Sequence, residues 1–180
     1  MNLANKITLV RIFMIPIFML FLYGEGPSFR LWATFIFVLA SLTDFVDGYI
    51  ARHYDMVTDF GKFVDPLADK LLVTAAIVSL VEFGSIFSWI AVCILAREFI
   101  VTALRTLAAA SGEIIAANWL GKAKTVVQMV GITILLLEPE VFHFDGQTYV
   151  LIINYLMAII TIWSGVSYLA QNRHLFSKTK

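Results

Sequence analysis

Long apolar segments separated by short polar connections dominate the pattern of this chain. Six segments approach the roughly 20 apolar residues that a helix needs to cross the hydrocarbon core of a bilayer. They are residues 7–23, 31–52, 66–83, 86–106, 122–138 and 149–170. The connections hold residues that interrupt helices, namely Gly24, Gly26, Pro27, Gly84, Gly112, Pro139 and Gly146. The pattern predicts an all-α, polytopic membrane protein with six transmembrane helices and one domain over residues 1–180.

The first apolar segment is short, and its start carries the polar residues Thr8 and Arg11. We therefore expect a short N-terminal interfacial segment that leads into the first transmembrane helix. The residues after Tyr23 do not form the small-residue cleavage site of a secretory signal, and further apolar segments follow. The first helix is expected to be retained.

Composition agrees with a membrane protein. The chain has 180 residues, of which 60% are hydrophobic and 14% are charged, and its mean hydropathy is +0.86. Soluble domains carry about 25% charged residues, and a globule of this size cannot bury so much apolar surface. The formal net charge of +0 gives no indication of a nucleic-acid partner.

Lysine and arginine lie almost entirely on one side of the predicted spans. That side holds Lys6, Arg11, Arg52, Lys62, Lys70, Arg105, Lys122, Lys124, Arg173, Lys178 and Lys180, whereas the connections on the opposite side hold Arg30. Cytoplasmic connections are enriched in basic residues. We therefore expect a multi-pass protein of the cytoplasmic membrane, with both termini and the 52–65 and 107–121 connections in the cytoplasm.

Acidic residues are concentrated in one stretch of the chain. Six of the 13 acidic residues are Asp44, Asp47, Asp55, Asp59, Asp65 and Asp69. Asp44 and Asp47 have the spacing of neighbours on a helix, and so do Gly61, Asp65 and Asp69. Carboxylates within a span usually face protein or a wet cavity, and several together require protonation or bridging cations. Oxygen ligands favour Mg²⁺, Mn²⁺ or Ca²⁺, and paired divalent ions are common in reactions at phosphorus.

Simpler roles explain some of these residues taken singly. Asp55 and Asp59 are expected to be solvated loop acids or helix caps. Asp65 before Pro66 also has the pattern of a helix N-cap. Capping does not explain Asp44 and Asp47, which follow an apolar run without interruption.

Small residues follow the first two aspartates. Gly48 and Ala51 are compatible with close helix packing. Close packing is the favoured explanation for each residue taken singly. Together with Gly61 and the aspartates, however, these small residues favour the approach of a bulky ligand such as a nucleotide to the backbone. Arg52 has a planar guanidinium that suits a phosphate.

The whole segment resembles the signature of CDP-alcohol phosphatidyltransferases. It reads Asp44-Phe45-Val46-Asp47-Gly48-Tyr49-Ile50-Ala51-Arg52, then eight residues, Gly61, three residues, Asp65, three residues and Asp69. The resemblance implies that a phosphatidyl group passes from a CDP-linked lipid to an alcohol and that CMP is released. It further implies that Asp44, Asp47, Asp65 and Asp69 bind two divalent cations, Mg²⁺ or Mn²⁺, and that Asp69 is the general base. Asp47, Gly48, Ala51, Arg52 and Gly61 are implied to surround the cytidine diphosphate.

Further motifs are similar to those of phosphatidylglycerophosphate synthases, whose substrates are CDP-diacylglycerol and sn-glycerol 3-phosphate. These motifs are Asn5-Lys6-Ile7-Thr8-Leu9-Val10-Arg11, Ala96-Arg97-Glu98-Phe99 and Gly121-Lys122-Ala123-Lys124-Thr125. A dianionic acceptor phosphate requires cations, and Arg105, Lys122 and Lys124 are the expected ones.

Several of these basic residues also have structural interpretations. Snorkelling to the lipid headgroups would explain Lys124 as well as ligand binding does. Thr8 and Arg11 lie either in the substrate cavity or at the membrane interface, and we expect the cavity. Arg97 is a further candidate for the cavity. The adjacent Arg97 and Glu98 would form either a structural contact or a support for the site.

Other functions remain open at this point. The same chemistry with inositol phosphate, serine or phosphatidylglycerol as acceptor is an alternative, the last as in cardiolipin synthases. A cation transporter is a more distant alternative, although transporters typically show broken helices and repeated halves. Homodimers are common among proteins of similar sequence, and a homodimer is a further expectation.

Overall fold

A computed structural model describes the backbone of residues 3–53, 59–110, 112, 115, 119–141 and 148–173. Side chains are described at residues 8–26, 28–43, 67–68, 70–109, 112, 115, 119–137 and 148–173. Within these ranges the chain forms six α-helices and no strand. They are α1 (Leu3–Leu22), α2 (Pro27–His53), α3 (Asp59–Glu82), α4 (Ser88–Ala110), α5 (Trp119–Val141) and α6 (Thr148–Gln171). The predicted all-α class with six helices is confirmed.

Each predicted apolar segment corresponds to one helix, but the helices extend into the polar sequence beside it. The largest extension is in α3, which begins at Asp59 rather than at residue 66. Asp65 therefore lies inside the helix, and its interpretation as an N-cap is wrong. Asp59 is instead the first residue of α3, where a negative charge interacts favourably with the helix dipole. Asp55 lies outside the described residues.

Two glycines end helices by adopting left-handed backbone conformations. Gly84 follows α3 with φ of 75°, and Gly112 follows α4 with the same φ. The amide of Gly112 donates to the carbonyl of Ala109 over 3.1 Å. A residue with a Cβ is disfavoured at such positions, so these glycines favour the ends of α3 and α4 at this point of the chain.

The helices form two compact units. The first comprises Met1–Glu82 with Ile132–Phe144, and the second comprises Phe83–Gly131 with Asp145–Lys180. The prediction of one functional domain over residues 1–180 stays a prediction.

In the first unit, α1 packs against both α2 and α3. The rings of Phe18 and Phe37 lie 5.9 Å apart, and a similar contact joins Phe21 to Phe29. Because later residues of α1 contact earlier residues of α2, these two helices are antiparallel.

The contact of α1 with α3 has the opposite sense. Ser79 Oγ donates to Met19 Sδ over 3.5 Å, and the Tyr23 hydroxyl donates to the Glu82 carboxylate. Met19 in α1 and Tyr23 just after it contact successively later residues of α3, so these two helices are parallel.

In the second unit, α4 and α6 are parallel. The Asn154 side chain accepts from the amide of Phe87 over 3.2 Å and donates to the carbonyl of Ser85 over 2.9 Å, just before α4 begins. One hydrogen bond joins Arg97 to Ser164 and another joins Arg105 to Tyr168, so the contacts advance along both helices together.

The part of α5 that belongs to the second unit, residues 119–131, runs antiparallel to α6. Gln128 donates to Thr161 over 3.0 Å. Farther along α5, a Cβ added at Gly131 would lie 3.0 Å from Met157 Sδ, which precedes Thr161 on α6. Residue numbers therefore rise on one helix as they fall on the other.

The described residues include two helices long and apolar enough to cross a membrane, Trp119–Leu137 with 19 residues and Thr148–Gln171 with 24 residues. Apolar stretches in α1 and α2 are shorter, at Thr8–Leu22 and Ser28–Thr43. The outward face of α6 is apolar, with Ile152, Leu156, Ile159, Ile162, Trp163 and Val166 exposed. Its inward face holds the buried polar residues Asn154, Thr161 and Ser164. A soluble protein shows the reverse distribution, and this arrangement is typical of a membrane protein.

Candidate functional site

The four aspartates of the predicted metal site lie on two helices of the first unit. Asp44 and Asp47 are on α2, which remains helical to His53, and Asp65 and Asp69 are on α3. The helical spacing on which the prediction rests is therefore present in the backbone, and it places each pair on one helix face. Four carboxylates are a donor set that suits hard divalent cations.

The side chains of these aspartates lie outside the described residues, as do those of Gly48, Ala51, Arg52 and Gly61. Their roles toward metal and nucleotide stay predictions. Among the side chains that are described, no group of three or more His, Cys, Asp or Glu residues forms another candidate metal site.

Thr8 and Arg11 lie one turn apart on the buried face of α1. Each is only 1% exposed. A guanidinium this deeply buried must be compensated by polar or charged partners. Burial therefore favours the protein interior over the headgroup region for Arg11, and the role of both residues in a substrate cavity stays a prediction.

Glu98 on α4 joins two cations of the second unit. Its Oε1 atom accepts from Arg97 Nη1 over 3.0 Å and forms an ion pair with Lys124 Nζ from α5. The side chains are 11% exposed for Arg97, 25% for Glu98 and 5% for Lys124. Two cations share one carboxylate, so this network, which we call the Glu98 cluster, has a net charge of +1. Low solvent access strengthens the interaction of that charge with an anion.

Helix α6 completes the surroundings of Arg97. Its Nη2 atom donates to Ser164 Oγ over 2.6 Å. A Cβ added at Gly165 would lie 3.2 Å from Arg97 Cγ, and one added at Gly121 would lie 3.5 Å from Nη2. The absence of a side chain at Gly165 thus lets the stem of Arg97 pass close to α6. Its Nε atom is buried and has no hydrogen-bond partner among the described residues.

Arg105 lies two turns beyond Arg97 on α4, about 12 Å along the axis at 1.5 Å per residue. Its side chain is exposed. The Nε–H donates to the Tyr168 hydroxyl over 2.9 Å, and the guanidinium carbon lies 5.6 Å from the centre of the Tyr168 ring. Tyr168 is only 2% exposed and belongs to an apolar cluster with Val101, Leu104 and Ala108.

The three predicted acceptor cations therefore have different surroundings. Lys122 and Arg105 are exposed, whereas Lys124 is buried and paired with Glu98. Snorkelling does not describe Lys124, because its ammonium group points to a carboxylate within the unit. Among the described contacts, the structure brings Lys124 together with Arg97 and Glu98 but does not join Lys122 or Arg105 to that cluster.

Sequence reasoning missed Ser164 and Tyr168. A signal was present, because the polar residues Asn154, Thr161, Ser164 and Tyr168 recur at helical intervals in an apolar span. Polar side chains on one face of such a helix usually meet polar partners inside the protein. Here Thr161 contacts Gln128, while Ser164 and Tyr168 contact the two arginines of α4.

Comparison with known proteins adds information independent of this geometry. A family model described as CDP-alcohol phosphatidyltransferase matches residues 1–165. A Bacillus subtilis (strain 168) protein named "CDP-diacylglycerol--glycerol-3-phosphate 3-phosphatidyltransferase" is 42% identical in an alignment of 183 positions that covers 95% of each chain. A Rickettsia bellii protein with the same name is 41% identical and matches over 93% of each chain. A Mycobacterium tuberculosis protein named "Probable phosphatidylglycerophosphate synthase" is 41% identical over 94% of this chain and 81% of its own length.

Proposed function

Because this chain belongs to the CDP-alcohol phosphatidyltransferase family, we propose that it transfers the phosphatidyl group of CDP-diacylglycerol to sn-glycerol 3-phosphate. The products are phosphatidylglycerophosphate and CMP, and the reaction is a step of phospholipid biosynthesis. The observation that carries this proposal is the 42% identity, across 95% of both chains, to a relative named for this reaction.

The reaction breaks the phosphoanhydride bond between the two phosphates of CDP-diacylglycerol and forms a phosphate ester bond to the acceptor. The acceptor's hydroxyl oxygen attacks the phosphorus that carries the diacylglycerol. The bond from that phosphorus to the bridging oxygen breaks, and CMP leaves with the bonding electron pair. Asp69 takes the hydroxyl proton as general base. A carboxylate that also binds metal is a modest base, so correct placement of the hydroxyl beside it matters for the rate.

Asp44, Asp47, Asp65 and Asp69 would hold two divalent cations, Mg²⁺ or Mn²⁺. When bound, such ions polarise the reacting phosphate and neutralise charge on the departing CMP. The oxygen donors of the four aspartates and their helical spacing support this assignment.

The nucleotide would lie against the same two helices of the first unit. Asp47, Gly48, Ala51, Arg52 and Gly61 would surround the cytidine diphosphate. The small residues would allow close approach to the backbone, and the planar guanidinium of Arg52 would hold a phosphate.

The acceptor phosphate would bind to Arg105, Lys122 and Lys124. The net positive charge of the Glu98 cluster supports a dianionic acceptor over a neutral one. Arg97 is a proposed cavity residue of the second unit, and Thr8 and Arg11 are proposed cavity residues of the first. The buried Nε–H of Arg97, which has no partner among the described residues, is a donor that a ligand oxygen would satisfy.

We further propose six transmembrane helices, preceded by a short interfacial segment, in a single membrane domain over residues 1–180. Consecutive spans must alternate in direction. Within the first unit α1 is antiparallel to α2 and parallel to α3, and within the second α4 is parallel to α6 and antiparallel to α5. These directions support the proposal. The distribution of basic residues supports cytoplasmic termini and a cytoplasmic active site, and a homodimer stays a prediction.

The proposal is tested by measuring CMP release from CDP-diacylglycerol with purified protein and Mg²⁺ or Mn²⁺. The acceptors compared are sn-glycerol 3-phosphate, inositol phosphate, serine and phosphatidylglycerol. We expect release that depends on sn-glycerol 3-phosphate and a product that comigrates with phosphatidylglycerophosphate. Release with another acceptor, and none with sn-glycerol 3-phosphate, would show that the acceptor is wrong. Glu25→Gln, a change at an exposed residue between α1 and α2, is the matched control and should behave as wild type.

A further inference from the structure

Tyr168 contacts Arg105, an exposed arginine of α4 that the proposed function assigns to the acceptor phosphate. Its hydroxyl accepts the Arg105 Nε–H over 2.9 Å, and its ring lies against the same guanidinium, 5.6 Å from the central carbon. We propose that Tyr168 is a positioning residue, which orients Arg105 to bind the phosphate of the acceptor. This inference rests on the proposed function, in which Arg105 contacts that phosphate.

The chemistry of the guanidinium favours this division of roles. Arginine has five N–H donors in a rigid plane, one on Nε and two on each Nη atom. The bond to Tyr168 occupies the Nε–H and leaves the Nη donors, which match the oxygens of a phosphate. An exposed arginine without such a contact would sample many rotamers, and each binding event would have to order it.

Tyr168 is itself firmly held. Its ring is 2% exposed and packs with Val101, Leu104 and Ala108, which lie on the helix that carries Arg105. The side-chain amide of Asn172 donates to the backbone carbonyl of Tyr168 over 2.8 Å. Because its ring packs against residues of α4, the hydroxyl offers Arg105 an acceptor at a constant place.

If the role of this contact were purely structural, Arg105 would support Tyr168 rather than Tyr168 supporting Arg105. Buried tyrosine hydroxyls need a hydrogen-bond partner, and Arg105 would then serve only to satisfy Tyr168. Removing the hydroxyl would in that case change stability but not the requirement for the acceptor. Kinetics resolved for each substrate distinguish the two roles.

The experiment compares Tyr168→Phe with wild type in the CMP-release assay. Tyr168→Phe keeps the ring and removes the acceptor atom. We expect KM for sn-glycerol 3-phosphate to rise about tenfold, the size of effect seen when a hydrogen bond to a charged group is lost, while KM for CDP-diacylglycerol and kcat change less than about twofold. Tyr155→Phe is the matched control, because Tyr155 lies on the same helix and is 51% exposed; it should leave all constants unchanged.

A double-mutant cycle shows whether Tyr168 acts through Arg105. Arg105→Lys keeps the positive charge but has no Nε–H, so adding Tyr168→Phe to it should change KM for sn-glycerol 3-phosphate little further. Unchanged KM in Tyr168→Phe, or the same increase with and without Arg105→Lys, would overturn the proposal. If Tyr168→Phe does not fold, Tyr168→Leu takes its place, since a smaller apolar side chain fits the buried position without overpacking and offers no acceptor to Nε–H, and the same outcomes apply. Wild-type protein without release dependent on sn-glycerol 3-phosphate would instead refute the proposed function.

Discussion

Lys124 and Glu98 form an ion pair between α5 and α4, and the same carboxylate oxygen of Glu98 accepts from Arg97 over 3.0 Å. Lys124 is 5% exposed in its side chain and Glu98 is 25% exposed. The pair therefore determines the surroundings of a lysine that sequence motifs associate with acceptor binding. Glu98 thus neutralises part of the charge of two neighbouring cations, Arg97 and Lys124, and its removal would leave both positive charges uncompensated.

Glu98→Gln should destabilise the protein. The amide keeps the shape of the side chain but removes the charge that Lys124 and Arg97 share, and both are largely buried. Loss of one partner of such a pair costs about 1–3 kcal/mol for a site with partial solvent access. Thermal unfolding in detergent should show a lower Tm than wild type, and Glu25→Gln should not. A Tm equal to that of wild type would mean that the ion pair contributes no net stability.

Gly165→Ala and Gly121→Ala should differ although both replace a glycine beside Arg97. At Gly165 the new methyl would lie 3.2 Å from Arg97 Cγ, whereas at Gly121 it would lie 3.5 Å from Nη2. The stem of Arg97 has little freedom to move, because its head is bonded to Glu98 and Ser164. Gly165→Ala should therefore be the less stable of the two by about 1 kcal/mol.

Helix propensity by itself predicts that the two variants are stabilised equally. Replacing glycine by alanine within a helix favours folding by up to about 1 kcal/mol, at either position. Thermal unfolding of both variants under identical detergent conditions separates the effects. Equal stabilisation of the two proteins would show that Arg97 accommodates a methyl group on α6.

Asp69→Asn should abolish phosphatidyl transfer while CDP-lipid binding remains measurable. Loss of a general base typically lowers the rate by about 10²–10⁴-fold, and an asparagine oxygen still offers one neutral ligand. CMP release and retention of labelled CDP-diacylglycerol are the two measurements. Asp59→Asn is the matched control, because Asp59 is the first residue of the same helix and should affect stability more than turnover. Near-normal turnover in Asp69→Asn would show that the base is a different group.

Chelation of divalent cations should stop CMP release, and addition of Mg²⁺ or Mn²⁺ should restore it. The reason is that the four aspartates of α2 and α3 that we propose as metal ligands carry carboxylate oxygens, which suit hard ions. Titration of the metal into chelator-treated protein gives the concentration at which activity returns. Asp44→Asn, which changes one proposed ligand, should need a higher metal concentration to regain half of its activity. Full activity in thoroughly chelated protein would contradict the two-cation assignment.

The number and type of elements could be predicted from sequence because helix formation in an apolar span is largely local. Six apolar segments became six helices, and the aspartates have the helical spacing that their positions imply. The N-cap interpretation of Asp65 failed for a physical reason. Apolar residues mark where a helix meets hydrocarbon, whereas its hydrogen bonds continue through polar turns, here back to Asp59.

Partners between helices could not be predicted, because they depend on how faces far apart in the chain come together. Lys122 and Lys124 share one motif, yet two residues turn a helix by about 200°, so one is exposed and the other is paired with Glu98. Ser164 and Tyr168 were visible only as polar positions in an apolar span.

By itself, the sequence determined an all-α protein with four helically spaced aspartates and the signature of its family. Only the tertiary structure decided that Tyr168 contacts Arg105, a residue 63 positions away, and that Glu98 joins Lys124 to Arg97. The physical reason is that local propensity sets which residues share a helix face. Packing between helices sets which faces meet, and thereby which charges are neutralised, buried or left available to a substrate.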